Sequence, residues 1–345
     1  MNVMLHSFHK QFYLLAVYAA VLLLLTSCNP AGQKTDSISD SGFYFDTVIQ
    51  ITLYDASRQY ALDHCMELAA QYEQYFSDTL PDSDVSRINA HPNEPVTVHA
   101  QTAELIKKGL DYGKKSDGRF DITVGKLSDL WDFHDTDSPA VPDEAAILAA
   151  VSQIDYQNVT VEGNVVTLNA TGNAAAIDLG GIAKGYIADK MKEYLLSEGI
   201  TAGLINLGGN VLTLGAKPNG DSYTIGIQKP FSEDGTPSVS VDVTDRSVVT
   251  SGTYQRYFKQ DGQLYHHILD VMTGYPCSNG LSSVTIISGS STDGDALSTT
   301  VFLMGLAEGM DYVEALDDTE AIFITTDGTR YYSSGMGDVV PYKEY

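Results

Sequence analysis

A carboxylate and a hydroxyl four residues apart, Asp295 and Thr299, fall in the run Asp293-Gly294-Asp295-Ala296-Leu297-Ser298-Thr299-Thr300, where a helix is expected to start. That spacing projects both side chains from one helix face, a turn apart. Such hard oxygen donors suit Mg²⁺, which keeps further positions for water and substrate phosphates. An ordinary N-terminal cap, with Asp293 or Asp295 on free backbone N–H groups, accounts for the same residues. A second run, Asp178-Leu179-Gly180-Gly181-Ile182-Ala183-Lys184, reads as strand end, glycine turn and helix start. A helix N-terminus points free N–H groups at whatever lies before it, and Lys184, one turn in, could reach a phosphate. The bland alternative is a tight turn with a solvated lysine. The run is neither a Walker A loop nor a dinucleotide fingerprint. Third, His266-His267 precedes Asp270. Histidine is the usual general base near neutral pH and could deprotonate a hydroxyl nucleophile. A structural histidine is the plain alternative; zinc is disfavoured because no Cys/His set at ligand spacing accompanies the pair.

The elements that must position these groups alternate without a regular βαβ rhythm, which argues an α+β fold. Residues 43–53 alternate and are β-branched, predicting one strand. Helical periodicity covers 57–76, 102–115 and 142–154, and a hairpin turning at Gly163-Asn164 spans 158–168. The loop around Ser77 to Leu80 runs into Asp82 and Ser83, which could cap a following helical turn. A short strand is expected at 120–124, and another through Ala174-Ala175-Ala176 before the helix carrying Ile187, Met191 and Leu195. The segment 203–211 reads as strand, glycine turn and strand, 223–228 and 239–243 should continue its sheet, and 283–287 and 321–325 read as further strands. The only tryptophan, Trp131, is either a core plug or the wall of a ring-binding pocket.

The formal net charge of −25 over 345 residues argues against nucleic acid or anionic lipid as a partner. It also requires an anionic ligand to find local positive charge, for which a metal ion is the natural supply. The start of the chain is an address. A weakly basic opening precedes the apolar run 12–25, too short to span a bilayer comfortably. Leu25-Thr26-Ser27-Cys28 then resembles the lipobox of bacterial lipoproteins, so residues 1–27 are expected to be a signal peptide and Cys28 the lipid anchor. Residues 28–42 read as a polar tether and 43–345 as the folded part. Cys65 reads as packing and Cys277 as a loop residue, with a bridge between them left open.

Seven ordered runs together resemble one family. They are D-S-D-V-S-R-I-N from Asp82, D-G-R-F-D-I-T-V-G from Asp117, D-L-G-G-I-A-K-G-Y-I-A-D from Asp178, I-N-L-G-G-N from Ile205, V-V-T-S-G-T-Y-Q-R-Y from Val248, H-H-I-L-D-x-x-T-G from His266 and D-A-L-S-T from Asp295. The family is ApbE, the bacterial FAD:protein FMN transferases. The resemblance implies an ApbE-like, T-fold-related arrangement of mixed sheets with flanking helices and an FAD/metal site in a cleft between the halves. It implies transfer of FMN from FAD to a threonine or serine hydroxyl of a target flavoprotein, with release of AMP and with Mg²⁺ as cofactor. Metal ligands carry over to Asp295, Thr299 and the Gly181 carbonyl; FAD contacts carry over to Phe45, Thr79, Trp131, Asp178, Lys184 and Ile268. His267 matches the histidine that helps activate the incoming hydroxyl. Many members are lipoproteins, which implies an extracytoplasmic enzyme, lipid-anchored to a bacterial membrane and acting on membrane redox complexes. Departures from the family pattern fall at Ser77-Asp78-Thr79-Leu80, where a tyrosine is common, and at Lys126 and Val271-Met272. An FAD pyrophosphatase using water, and a flavin-storage lipoprotein, are the other functions this pattern could serve.

Overall fold

The computed structural model describes residues 36–133, 138–171, 175–232 and 235–345. The leader, the lipobox and Cys28 lie outside the described residues, and no described helix is long and apolar enough to cross a membrane.

Strands β1 (Ile38–Tyr44) and β2 (Thr47–Leu53) form a hairpin. Its turn is Phe45-Asp46, both at positive φ (52° and 55°), the type I′ geometry of a two-residue hairpin. This splits the single strand expected over 43–53. It also places ordered backbone at Ile38, inside the segment expected to be a tether, because Ile38 and Tyr44 pack against the main core.

The chain continues through α1 (Gln59–Phe76), α2 (Asp84–Ala90), β3 (Val96–Thr97), α3 (Ala100–Lys115), α4 (Gly125–Trp131) and α5 (Glu144–Val151). Then come β4 (Val159–Glu162), β5 (Val165–Leu168), α6 (Ala183–Ser197), β6 (Gly203–Leu207), β7 (Asn210–Leu214), β8 (Tyr223–Gln228), β9 (Pro237–Val243) and β10 (Ser247–Gly252). Hairpin β11 (Tyr257–Gln260) and β12 (Gln263–His266) follows, then β13 (Leu281–Ser288), α7 (Ser291–Met304), α8 (Leu306–Glu314), β14 (Thr319–Thr325), β15 (Arg330–Tyr332) and β16 (Tyr342–Glu344).

Eight of these strands form the central antiparallel sheet, in the order β1-β2-β6-β7-β10-β13-β14-β15. All of β13 is buried, because the sheet is covered on both faces. Ile286 and Phe323 join the core under the helices, whereas Ile287, Ile322 and Ile324 meet Tyr223, Val239 and Val241 on the other face. Thus β8 and β9 do not extend the central sheet, as expected from sequence. With β16 they make a separate three-stranded sheet that covers its other face. A third apolar cluster joins α4 and α5 to the β11–β12 hairpin through Leu127, Trp131, Ile147 and Phe258.

The strand expected at 120–124 is a loop, because a side chain takes its hydrogen bonds. Buried Asp121 accepts from the Thr123 N–H (2.8 Å), the Thr123 hydroxyl (2.7 Å) and the Tyr156 N–H (2.7 Å). Only one bridge, Val124 to Ala176, remains of this strand and the one expected before α6; Ala174 lies outside the described residues. Cys65 and Cys277 are unpaired.

The helices that carry the candidate site touch at a glycine. A Cβ on Gly185 would stand 2.2 Å from the Ser291 carbonyl oxygen and 2.8 Å from Asp295 Cβ. No flexible side-chain tip is available to move aside, so α6 and α7 must separate to admit a methyl group. Gly185→Ala is therefore expected to destabilise the fold by about 1–3 kcal/mol, read as a lowered urea midpoint, and to cut activity beyond that loss.

Candidate active site

Two helices start side by side and exchange hydrogen bonds. Asp189 on α6 caps α7: its carboxylate accepts from Ser291 N–H (2.8 Å), Thr292 N–H (2.8 Å), the Thr292 hydroxyl (2.6 Å) and the Ser290 hydroxyl (3.0 Å). Such donors are orphaned at every helix start, and a carboxylate there also meets the positive end of the helix dipole. In return Asp295 on α7 accepts from the Gly185 N–H at 2.9 Å. Asp295 is thus a helix-start acceptor as well as a candidate ligand, but for the neighbouring helix rather than its own. Its side chain is 6% exposed, and its second oxygen lies 3.5 Å from Lys184 Nζ.

Lys184 Nζ also donates to the Gly180 carbonyl at 3.0 Å, which brings the glycine turn beside Asp295. Asp178 holds that turn by accepting from the Gly180 N–H at 2.7 Å. The segment before it is pinned from afar: Asn89 accepts from the Ile177 N–H (2.7 Å) and donates to the Ile177 carbonyl (2.9 Å).

His267 approaches from the β11–β12 hairpin. Its Nδ1 lies 3.3 Å from the Arg256 carbonyl, which can only accept. Nδ1 therefore carries the hydrogen, and Nε2 is left with a free lone pair. His267 is half-buried as a residue, and protein crowds the imidazole. Burial first, then the positive charges of Arg256 and of Lys184 nearby, push its pKa down to about 3. The ring is neutral, with its Nε2 lone pair available, but in the free enzyme it is a weaker base than an ordinary histidine. His266 is the structural member of the pair, donating to the Cys277 carbonyl (3.0 Å) and accepting from the Ile268 N–H (3.3 Å); burial lowers its pKa to about 4.

Lys184 thus joins the glycine turn to Asp295, with Thr299 one helical turn beyond Asp295 on α7, Asp178 supporting the turn and His267 near enough to feel the Lys184 charge. Phe45 and Thr79 stand apart on an acidic rim. Phe45 donates its N–H to Glu73 at 2.6 Å within the hairpin turn, and Thr79 is an exposed residue of the 77–80 loop. Asp78 is exposed next to Thr79, but enough protein surrounds its carboxyl that desolvation, then Asp178, raises its pKa to about 6; Asp129 and Asp46 add to the repulsion. Trp131 is a core plug, 2% exposed, with its indole N–H on the Gly274 carbonyl at 2.8 Å and its ring stacked on Phe133 and Tyr265. The Ile268 side chain lies in the main core, and its carbonyl accepts from the Cys277 N–H. Neither residue presents a side chain to the cleft.

Sequence reasoning missed Asn89, Asp189, Ser251 and Arg256. All four lie inside the seven runs, but their partners are remote in sequence and no spacing rule reaches them. In D-S-D-V-S-R-I-N, Ser83 caps α2 and buried Asp84 is a structural hub. It accepts from Thr102 (2.6 Å), the His99 N–H (2.8 Å), His99 Nδ1 (2.9 Å) and Arg87.

The donor set fits a magnesium ion. Asp295 offers one carboxylate, Thr299 a hydroxyl and the glycine turn its carbonyls, all hard oxygens. Among the described residues no three His, Cys, Asp or Glu side chains cluster as a metal cage, so substrate phosphates would have to complete the coordination.

The chain belongs to the ApbE family, whose sequence profile matches residues 45–323. It is similar to the FAD:protein FMN transferase of Klebsiella pneumoniae (strain 342), at 38% identity over 290 residues, 83% of this chain and 89% of that one. Its structure resembles the ApbE protein of Thermotoga maritima (TM-score 0.80, 33% identity, 87% of this chain and 97% of that one). It likewise resembles the flavin transferase ApbE of Vibrio cholerae (TM-score 0.77, 30% identity, 87% and 97% covered).

Because the folded pKa of His267 lies below its unfolded value of about 6.5, its neutral form is favoured by folding. The contribution to stability is present above that value and is lost progressively as pH falls from there through the folded pKa of about 3. In the ligand-free enzyme the His267 ring resonances should show no titration between pH 5 and 8 by NMR; a midpoint near 6.5 would contradict the assignment.

Proposed function

We propose that this flavin transferase moves the FMN half of FAD onto a threonine or serine hydroxyl of an acceptor flavoprotein, with Mg²⁺ as cofactor and AMP as the second product. The observation that carries the reading is Lys184 held between the Gly180 carbonyl and Asp295 at the α6–α7 junction, close enough to neutral His267 for its charge to act on the ring. Phosphoryl transfer asks a protein mainly for positioning and for neutralised oxygens.

FAD binds with its pyrophosphate against Lys184 at the start of α6, where the ammonium and the positive end of the helix dipole favour anions; the Ile182, Ala183 and Gly185 N–H groups there are already bonded, to the Leu179 carbonyl and to Asp295. Lys184 now rests on the Gly180 carbonyl and Asp295 and would turn to the phosphate oxygens. Magnesium, held by Asp295, Thr299 and the Gly181 carbonyl, would supply charge neutralisation of the pyrophosphate. One turn beyond Thr299, Leu303 and Met304 line a hollow with Val271, Met272, Arg119 and Asp270. The acceptor hydroxyl enters beside His267. Its oxygen forms a bond to the FMN-side phosphorus, its proton passes to His267 Nε2, and the bond from that phosphorus to the bridging oxygen breaks. AMP departs with the bridging oxygen. Asp46, Asp78 and Asp129 lie near enough to one another to raise the Asp78 pKa, and their charge disfavours phosphate on that side of Asp178.

The L-T-S-C sequence supports a further reading, that Cys28 carries lipid and holds the enzyme outside the cytoplasmic membrane near membrane-bound redox acceptors. Replacement of the loop tyrosine common in the family by Ser77 to Leu80 favours one competing activity, hydrolysis of FAD by water.

Purified protein incubated with FAD, Mg²⁺ and an acceptor domain should give, by mass spectrometry, an acceptor heavier by one FMN phosphoester, with AMP released in equal amount. FMN and AMP free in solution with an unmodified acceptor would support hydrolysis, and FAD bound intact would support storage. His267→Ala should lower transfer about 10²–10⁴-fold while FAD still binds.

A further inference from the structure

Thr299 departs from the usual habit of a helical threonine. Such a hydroxyl normally donates to the carbonyl four residues back, as its neighbour Thr300 does to Ala296 at 2.7 Å. The corresponding acceptor for Thr299 is the Asp295 carbonyl, but the Ser298 hydroxyl donates to that oxygen at 2.9 Å. Thr299 Oγ1 instead lies 3.1 Å from the hydroxyl of Ser251, at the end of β10, and Ser251 Oγ lies 2.8 Å from Ser298 Oγ.

The direction of this chain follows from its last link. A carbonyl only accepts, so the single Ser298 hydrogen points at Asp295. Ser298 must then accept from Ser251, which uses the single Ser251 hydrogen. Ser251 in turn must accept from Thr299. The Thr299 hydrogen is thereby held toward β10, and its lone pairs are turned away from Ser251. A threonine hydroxyl in a free rotor presents either face; this one is set as an acceptor.

Resting on the magnesium reading above, we propose that Ser251 is a positioning residue which, through Ser298 and the Asp295 carbonyl, orients Thr299 as a lone-pair donor to the divalent cation. The relay starts on the Thr299 hydroxyl and ends on the main-chain carbonyl of Asp295, so it ties the orientation of Thr299 to the helix turn that carries Asp295. Residues that orient ligands in this way typically contribute 10–100-fold to metal affinity. The preset direction also discriminates between ligands: a cation meets a lone pair, whereas an anion at the same place meets no hydrogen.

The test uses Mn²⁺ as probe, titrated into the full-length protein with FAD bound and followed by the EPR signal of free Mn²⁺. Ser251→Ala should weaken Mn²⁺ binding about 10–100-fold and raise the metal concentration for half-maximal turnover by the same factor. Ser251→Thr, which keeps the hydroxyl, should restore most of the affinity. Ser298→Ala breaks the next link in a fully buried but nearly isosteric way. It should weaken binding in the same direction, and its effect should not add to that of Ser251→Ala. Wild-type affinity in Ser251→Ala, or a loss that Ser251→Thr does not restore, would overturn the relay. Asp295→Ala separates this from failure of the metal reading. If it abolishes binding while Ser251→Ala leaves it intact, only the relay is wrong. If Asp295→Ala binds Mn²⁺ like wild type, the metal site and the relay fall together.

Discussion

The site depends on the close approach of α6 and α7 at Gly185. A helix start is a cluster of unsatisfied donors, and burying two of them together would be costly unless each found acceptors. Here each helix caps the other: Asp189 satisfies the start of α7, and Asp295 takes a donor from the start of α6. The missing side chain at Gly185 sets the distance. A shift of one helix along the other would break both sets of bonds, so the reciprocal caps fix the register. The candidate ligand Asp295 and the candidate phosphate-binding Lys184 are thereby placed as a consequence of folding.

Charge organises the rest. A protein of net charge −25 binds a pyrophosphate only where its acidity is locally reversed. Lys184 and Arg256 both depress the pKa of His267, which places them close to it. The aspartates that surround Asp78 gather on the far side of the glycine turn, which Asp178 itself holds. Basic centre and acidic rim together form a local field that attracts phosphate to one part of the cleft. Burial first, with this field adding to it, keeps His267 neutral in the free enzyme, so a general base and a phosphate-binding centre can occupy neighbouring positions. An anionic ligand would raise the basicity of the ring on binding, when a proton must be accepted.

Much of this was legible in the sequence where local chemistry decides. The helix spacing of Asp295 and Thr299, the glycine turn before Lys184 and the hairpin at Gly163-Asn164 all depend on neighbours within a few residues. The α+β class follows in the same way. What was not legible depends on partners far along the chain. Residues 120–124 carry a strand pattern, yet Asp121 claims their hydrogen bonds from within and from Tyr156. Strands β8 and β9 alternate like central strands, but their apolar face covers the sheet from outside. Phe45-Asp46 lacks the usual glycine of a type I′ turn, so the first hairpin read as one strand. Trp131 illustrates the limit for site residues: its type allows both a core plug and a ring wall, and only the hydrogen bond to Gly274 and the surrounding stack decide for the plug.

The central claim is that the α6–α7 junction assembles a cation site from Asp295, Thr299 and the glycine turn. Crystals grown with FAD and Mn²⁺, measured for the anomalous scattering of manganese, test it most directly. The account expects one strong peak within about 2 Å of an Asp295 carboxylate oxygen, Thr299 Oγ1 and the Gly181 carbonyl, with pyrophosphate oxygens completing the shell. A peak among the rim aspartates around Asp78 with none at Asp295 would contradict it.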